Sequence, residues 1–159
     1  KEILEMKKIT PFLWFDTQAE EAMNFYVSIF KNAKVGGVSR GLDGRAFSVS
    51  FELDGQEFIG LNAGPQFKFN EAVSMFVNCE DQAEVDELWS KLIADGGGES
   101  MCGWLKDKYG LSWQIIPKQL GELMGDPDSE KSQRVMQAML KMRKIVVADL
   151  ERAHKGGHG

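Results

Sequence analysis

The sequence predicts an α+β fold built from two βαβββ modules and a C-terminal helical extension. Three observations predict it. A strand, a helix and a meander follow one another over residues 9–62, Asp-Gly pairs punctuate that meander, and the same order of elements returns about sixty-four residues later. The modules are expected at 6–64 and 70–117, with an extension at 118–155 and one structural domain overall.

Ile9 to Phe15 is a short apolar run rich in aromatics and closed by Asp16-Thr17, the pattern of a strand buried on both faces. Ala19 to Phe30 then spaces Ala22, Phe25, Tyr26 and Ile29 as one helical face, with Glu20 and Glu21 in the first turn where they suit the helix dipole. From Ala33 the period becomes two. Strands are expected at 35–40, 46–53 and 56–62, separated by Asp43-Gly44 and Asp54-Gly55, the dipeptide that most strongly signals a hairpin. The second half repeats the order: a strand over 72–79, a helix over 82–94 with Val85, Leu88, Trp89 and Leu92 inward, short strands over 99–102 and 102–106, and a last strand over 111–117. Gly36-Gly37 is the pattern of a bulge, and Gly96 to Gly98 that of a helix terminator. Placing Ala22 on Val85 and Phe25 on Leu88 aligns the two helix faces, provided the first strand-to-helix loops differ by one residue. Beyond Pro117 the spacing predicts a helix over 129–143, with Val135, Met136, Met139, Leu140 and Met142 on its apolar side, then a helical turn or two at 147–153.

At 159 residues the chain is long enough to bury a substantial core. The net charge of −5 and the lack of a basic stripe argue against nucleic acid as a partner. No stretch has the length of a membrane span or the character of a signal peptide, so the cytoplasm is expected. Cys79 and Cys102 have no metal or redox spacing and are expected to be free thiols. Lys1-Glu2 ahead of Met6 is what a purine-rich ribosome-binding stretch would encode. Met6 is therefore the expected native start, with residues 1–5 as leader or overrun.

Five blocks carry a resemblance. They are Thr10 to Asp16, Ala19 to Ala22 with Phe25-Tyr26, Gly64 to Asn70, Cys102 to Gln114, and Gln133 to Met139. Together they resemble the PhnB-like branch of the vicinal-oxygen-chelate (glyoxalase-like) superfamily, a branch that carries the name 3-demethylubiquinone-9 3-methyltransferase. The resemblance implies a curved, cupped mixed sheet of paired βαβββ modules with the ligand in its cleft. It also implies that metal ligands, where a member has them, are His and Glu on the first and last strands of each module. The matching positions here are Thr10 or Pro11, Asn62, Ser74 and Gln114. None offers imidazole or carboxylate, so no metal and no cofactor are expected. The two histidines, His154 and His158, lie near the C-terminus among glycines, where a formed helix is not expected.

Without a histidine in the body of the chain, Ser-His and Cys-His nucleophilic systems lack their base. A lysine or carboxylate base is still open at Lys106, Asp107 and Glu57, near the strand ends, although each reads first as a solvated turn or edge charge. The methyltransferase name finds no support in a glycine-rich turn after a first strand, the usual cradle for a nucleotide-like cofactor. Catalytic residues are left unassigned. Strand alternation puts Ser74, Phe76 and Asn78 on one open face, Ser112, Gln114 and Ile116 on another, and Phe58, Gly60 and Asn62 on a third, with Trp14, Phe67, Phe69 and Trp104 near the mouth. The ligand-binding residues expected from this are Asn62, Ser74, Phe76, Trp104 and Gln114, a set of amides, a hydroxyl and aromatics suited to a planar, weakly polar molecule. The leading expectation is a metal-independent binding protein for an aromatic or quinone-like compound. The alternatives are an enzyme of the same superfamily (isomerase, lyase, dioxygenase, or the methyltransferase of its name) and a protein that works through a macromolecular partner. A homodimer paired through the Met139-Leu140 stripe is also expected.

Overall fold

The computed structural model of the chain describes residues 7–156. The expectation about Met6 and residues 1–5, and the one about His158, lie outside them. By internal contacts the chain divides into two compact units, Lys1–Lys68 and Phe69–Gly159.

The first unit runs β1 (Phe12–Phe15), α1 (Ala19–Ile29), β2 (Ala33–Arg40), β3 (Ala46–Leu53) and β4 (Gln56–Asn62). Its four strands lie in the order β1-β4-β3-β2, with β1 parallel to β4 and the remaining pairs antiparallel. The hairpin between β3 and β4 turns at Asp54 and Gly55, which have φ of 47° and 81°. That pair of left-handed residues matches the twist of the strands it joins. The helix covers one face only: Leu13, Phe15, Val49, Phe51, Leu53 and Phe58 are buried there with Ala22, Met23, Tyr26 and Ile29. Phe12 is 58% exposed, so β1 is not buried on both faces as expected from its composition. The bulge at Gly36-Gly37 is present as a register shift between Val35 and Val38.

The second unit repeats the order with β5 (Ser74–Cys79), α2 (Gln82–Ile93), β6 (Gly98–Glu99), β7 (Trp104–Lys106) and β8 (Ser112–Pro117), arranged β5-β8-β7-β6. The loop between first strand and helix is 16–18 in one unit and 80–81 in the other, one residue shorter. Asp81 caps α2 by accepting from Glu84 N at 2.9 Å. Under α2 lie Leu105, Trp113 and Ile115, all buried.

β6 and β7 are shorter than expected because Cys102 and Gly103 leave the ladder with φ of 59° and 84°. Their backbone N–H groups donate instead to the carbonyls of Met142 and Arg143, each at 2.8 Å. A Cβ at position 103 would come within 2.7 Å of Ile116 Cδ1 and 3.1 Å of Ile145 Cγ1, so only glycine admits this close approach.

The extension forms α3 (Lys118–Met124), α4 (Ser129–Leu140) and α5 (Val147–Lys155). The first of these helices was not foreseen, and the last runs two residues further than expected. Its core joins Leu120, Val135, Ile145 and Leu150 to Ile116 of β8, with Leu123, Met124, Met139 and Met142 packed around them. Both ends of the Gln82 amide bind this segment, donating to Ile145 O at 2.9 Å and accepting from Val147 N at 2.7 Å. The Met stripe of α4 therefore splits: Met139 packs inside the unit, whereas Met136 and Leu140 are 41% and 54% exposed. His154 lies within α5, contrary to the expected unstructured tail, and its Nε2 meets Asp126 Oδ2 at 2.8 Å. No helix among the described residues is long and apolar enough to cross a membrane.

Candidate functional site

In the second unit, alternation sends Trp113, Ile115 and Leu105 towards α2 and leaves Ser74, Phe76, Trp104, Lys106, Ser112 and Gln114 on the opposite face. The registers bring these side chains together: Gln114 stands opposite both Phe76 and Trp104, and Ser112 opposite both Ser74 and Lys106. Ile116, next along that face, is covered by the extension, which closes one end of it. Gln114 Nε2 donates to Ser74 Oγ at 2.9 Å, linking two of the expected site residues directly. Phe76 is 61% exposed beside them.

A pocket of about 470 Å³ opens at the other end of this face, bordered by Glu71, Glu99, Ser100, Trp104, Lys106 and Ser112, with Lys108 and Gly110 at the turn. Its size falls in the range of small-molecule sites. Ser112 is 1% exposed, and its Oγ has no hydrogen-bond partner among the described residues. A buried hydroxyl in that state calls for an acceptor or donor from elsewhere. Lys106 forms an ion pair with Glu71, and this hydrogen bond, ahead of any other cause, holds the Glu71 carboxyl below its usual range. Of the five residues expected from the sequence, Trp104 borders the pocket; Ser74, Phe76 and Gln114 lie on the same face without lining it. The sequence reading gives Lys106 first as an edge charge and Ser112 as an open-face residue outside the expected ligand-binding set. A lysine and a serine opposite one another across a short hairpin could have singled them out.

Asn62 lies elsewhere. In the first unit its Oδ1 accepts from Ala19 N at 2.8 Å and its Nδ2 donates to Ala46 O at 3.0 Å, so the amide serves as the N-terminal cap of α1. Phe58 stacks on Phe51 under the same helix, with centroids 5.3 Å apart. The expected open face of β4 is thus the helix-covered one, because the phase of a period-two pattern is set by which side the helix lands on. Trp14 and Phe67 do meet, edge to face at 4.9 Å, and Trp14 Nε1 donates to Gly64 O at 3.0 Å.

Asp107 also departs from its reading as a solvated turn charge. It is 2% exposed, with Oδ1 accepting from Tyr109 N at 2.9 Å and Leu111 N at 3.1 Å and Oδ2 accepting from Trp113 Nε1 at 2.9 Å. The carboxylate shapes the turn between β7 and β8 and so fixes Lys106 and Ser112 on either side of it. Both cysteines are free; Cys79 is fully buried, and burial, helped by Glu84, pushes its thiol up to about 12. It has no reactive character at neutral pH.

Residues 7–116 match the family model described as 3-demethylubiquinone-9 3-methyltransferase. The chain belongs to this PhnB-like family. Among solved structures, the PhnB protein of Bacillus cereus, which carries the same methyltransferase description, is 37% identical over 70% of this chain and 99% of its own, with a TM-score of 0.66. Protein PA1353 of Pseudomonas aeruginosa shares the fold at 16% identity, covering 70% of this chain and 98% of its own with a TM-score of 0.58. A glyoxylase/bleomycin resistance protein/dioxygenase domain from Frankia sp. EAN1pec matches at 13% identity over 71% of this chain and 93% of its own, with a TM-score of 0.48. No curated protein matches the chain. The PhnB-like match ends where the extension begins, so α3, α4 and α5 lie beyond the family model.

At the positions that the resemblance marks for metal ligands, Asn62 has both amide atoms engaged, and Ser74 and Gln114 offer only a hydroxyl and an amide oxygen, weak ligands for a transition metal. Among the described residues no group of three or more His, Cys, Asp or Glu side chains is placed to hold a metal.

Proposed function

We propose that this PhnB-like chain binds a small planar molecule, aromatic or quinone-like, on the open face of its second unit, and does so without a metal ion. One observation carries the reading: the pocket beside Trp104 has the volume of a small-molecule site and is bordered by an aromatic ring, a lysine and a serine. A flat ring stacked on the indole would gain dispersion and quadrupole complementarity. The quinone in the family's description is a molecule of that kind. Ser74 and Gln114, already bonded to each other, form a polar floor next to the pocket rather than its anchor. The same reading places the protein in the cytoplasm as a homodimer, with exposed Met136 and Leu140 supplying the apolar surface for pairing.

Titration with N-phenyl-1-naphthylamine, a neutral aromatic probe whose emission rises on burial, tests the proposal. Saturable binding that Trp104→Ala weakens at least tenfold and Asn62→Ala leaves alone supports it. Binding that is indifferent to Trp104→Ala overturns it.

A further inference from the structure

We infer that the ligand of this site carries an anionic group that takes the place of Glu71 on Lys106. The inference rests on the binding reading above and adds to it the charge of the ligand. Lys106 and Ser112 are register partners on adjacent strands, so an ammonium and a buried, unsatisfied hydroxyl border one pocket together with the Trp104 ring. An oxyanion beside Lys106 would receive a charge-assisted bond from its Nζ.

That ammonium is held by a carboxylate from the same chain. Glu71 lies three residues ahead of Ser74, where β5 begins, and its side chain is 59% exposed, while that of Lys106 is 44% exposed. A pair between two such exposed side chains is a weak one and is readily exchanged. The Glu71 carboxyl, held below its usual range first by the Lys106 hydrogen bond, agrees that negative charge is favoured at this spot. The neighbouring charges already have employment: Glu99 accepts from Trp89 Nε1 and lies 3.8 Å from Arg143 Nη1, Asp107 is enclosed by its turn, and Lys108 lies 5.5 Å from the Tyr109 ring centroid. Glu71 is therefore the occupant that an incoming anion must replace, and its own carboxylate marks where that anion would lie.

A matched pair of probes separates charge from stacking: N-phenyl-1-naphthylamine, and 1-anilinonaphthalene-8-sulfonate, which adds a sulfonate to the same ring system. Removing the resident carboxylate by Glu71→Gln should tighten binding of the sulfonate probe by about fivefold and leave the neutral probe unchanged. Lys106→Met should weaken the sulfonate probe by a similar factor relative to the neutral one. The Glu71→Gln gain should shrink as sodium chloride is raised. Equal responses of both probes to Glu71→Gln would overturn the inference and leave the aromatic site standing. Indifference of both probes to Trp104→Ala would overturn the site itself and the inference with it.

Discussion

Asn62 and Asp107 each depart from the role that its position in the sequence suggests. An amide at the end of a strand resembles a ligand anchor, yet Asn62 spends both its polar atoms on the start of α1 and on Ala46 O. Asn62→Ala should therefore cost about 1 kcal/mol of stability, the usual worth of an N-terminal cap, in a urea titration, with probe binding unchanged. An aspartate in a turn resembles a solvated charge, yet Asp107 satisfies two backbone donors and the Trp113 indole. Asp107→Ala strands those donors in a buried place and should lower the unfolding free energy by about 3 kcal/mol in the same assay. Neither role could be read from spacing. Period two tells which residues share a face but not which face the helix covers, and a turn residue's burial depends on an indole six positions further along the chain.

At the scale of elements, the α4 stripe shows how far helical periodicity reaches. It placed Val135, Met136, Met139 and Leu140 on one side of α4, but the helix ends at Leu140, so Met142 lies beyond it, and periodicity could not divide inward from outward residues, because the covering partners, Ile116, Ile145 and Leu150, come from three other segments. The division makes an expectation. Met139→Glu should destabilise the protein by more than 2 kcal/mol through a buried charge, whereas Leu140→Glu should leave the melting curve in place and shift a dimer towards monomer in sedimentation. The α5 helix makes another. Its His154 side chain meets Asp126, whose carboxyl is held below its usual range first by the Asp128 backbone N–H and then by His154. A depressed folded-state value means that the stabilisation is present above the ordinary 3.8 and is lost as pH falls through the depressed value. Hydrogen exchange corrected for intrinsic rates should accordingly show α5 amides losing protection below pH 3.8 ahead of the β8 amides, and Asp126→Asn should abolish that acid step.

For the whole molecule, the order of elements, the Asp-Gly turn between β3 and β4, and the one-residue difference between the two strand-to-helix loops were legible, because each depends on local chemistry repeated in two places. The candidate site was legible in part. Ser74, Phe76, Trp104 and Gln114 do share a face, but the pocket lies one register step away, where Lys106 and Ser112 face each other and Glu71 approaches from outside the ladder. That step depends on the short β7-β8 hairpin and on the extension covering Ile116, both fixed by long-range contacts that a linear pattern does not encode.

The central claim, a planar ligand stacked on Trp104, is tested most directly by fluorine NMR of protein labelled with 5-fluorotryptophan. The four tryptophans, Trp14, Trp89, Trp104 and Trp113, give four signals, and loss of one in Trp104→Phe assigns it. Titration with N-phenyl-1-naphthylamine should move the Trp104 signal saturably, in step with the probe's emission, while the signals of buried Trp89 and Trp113 stay in place. A Trp104 signal that stays fixed while the probe binds would contradict the account.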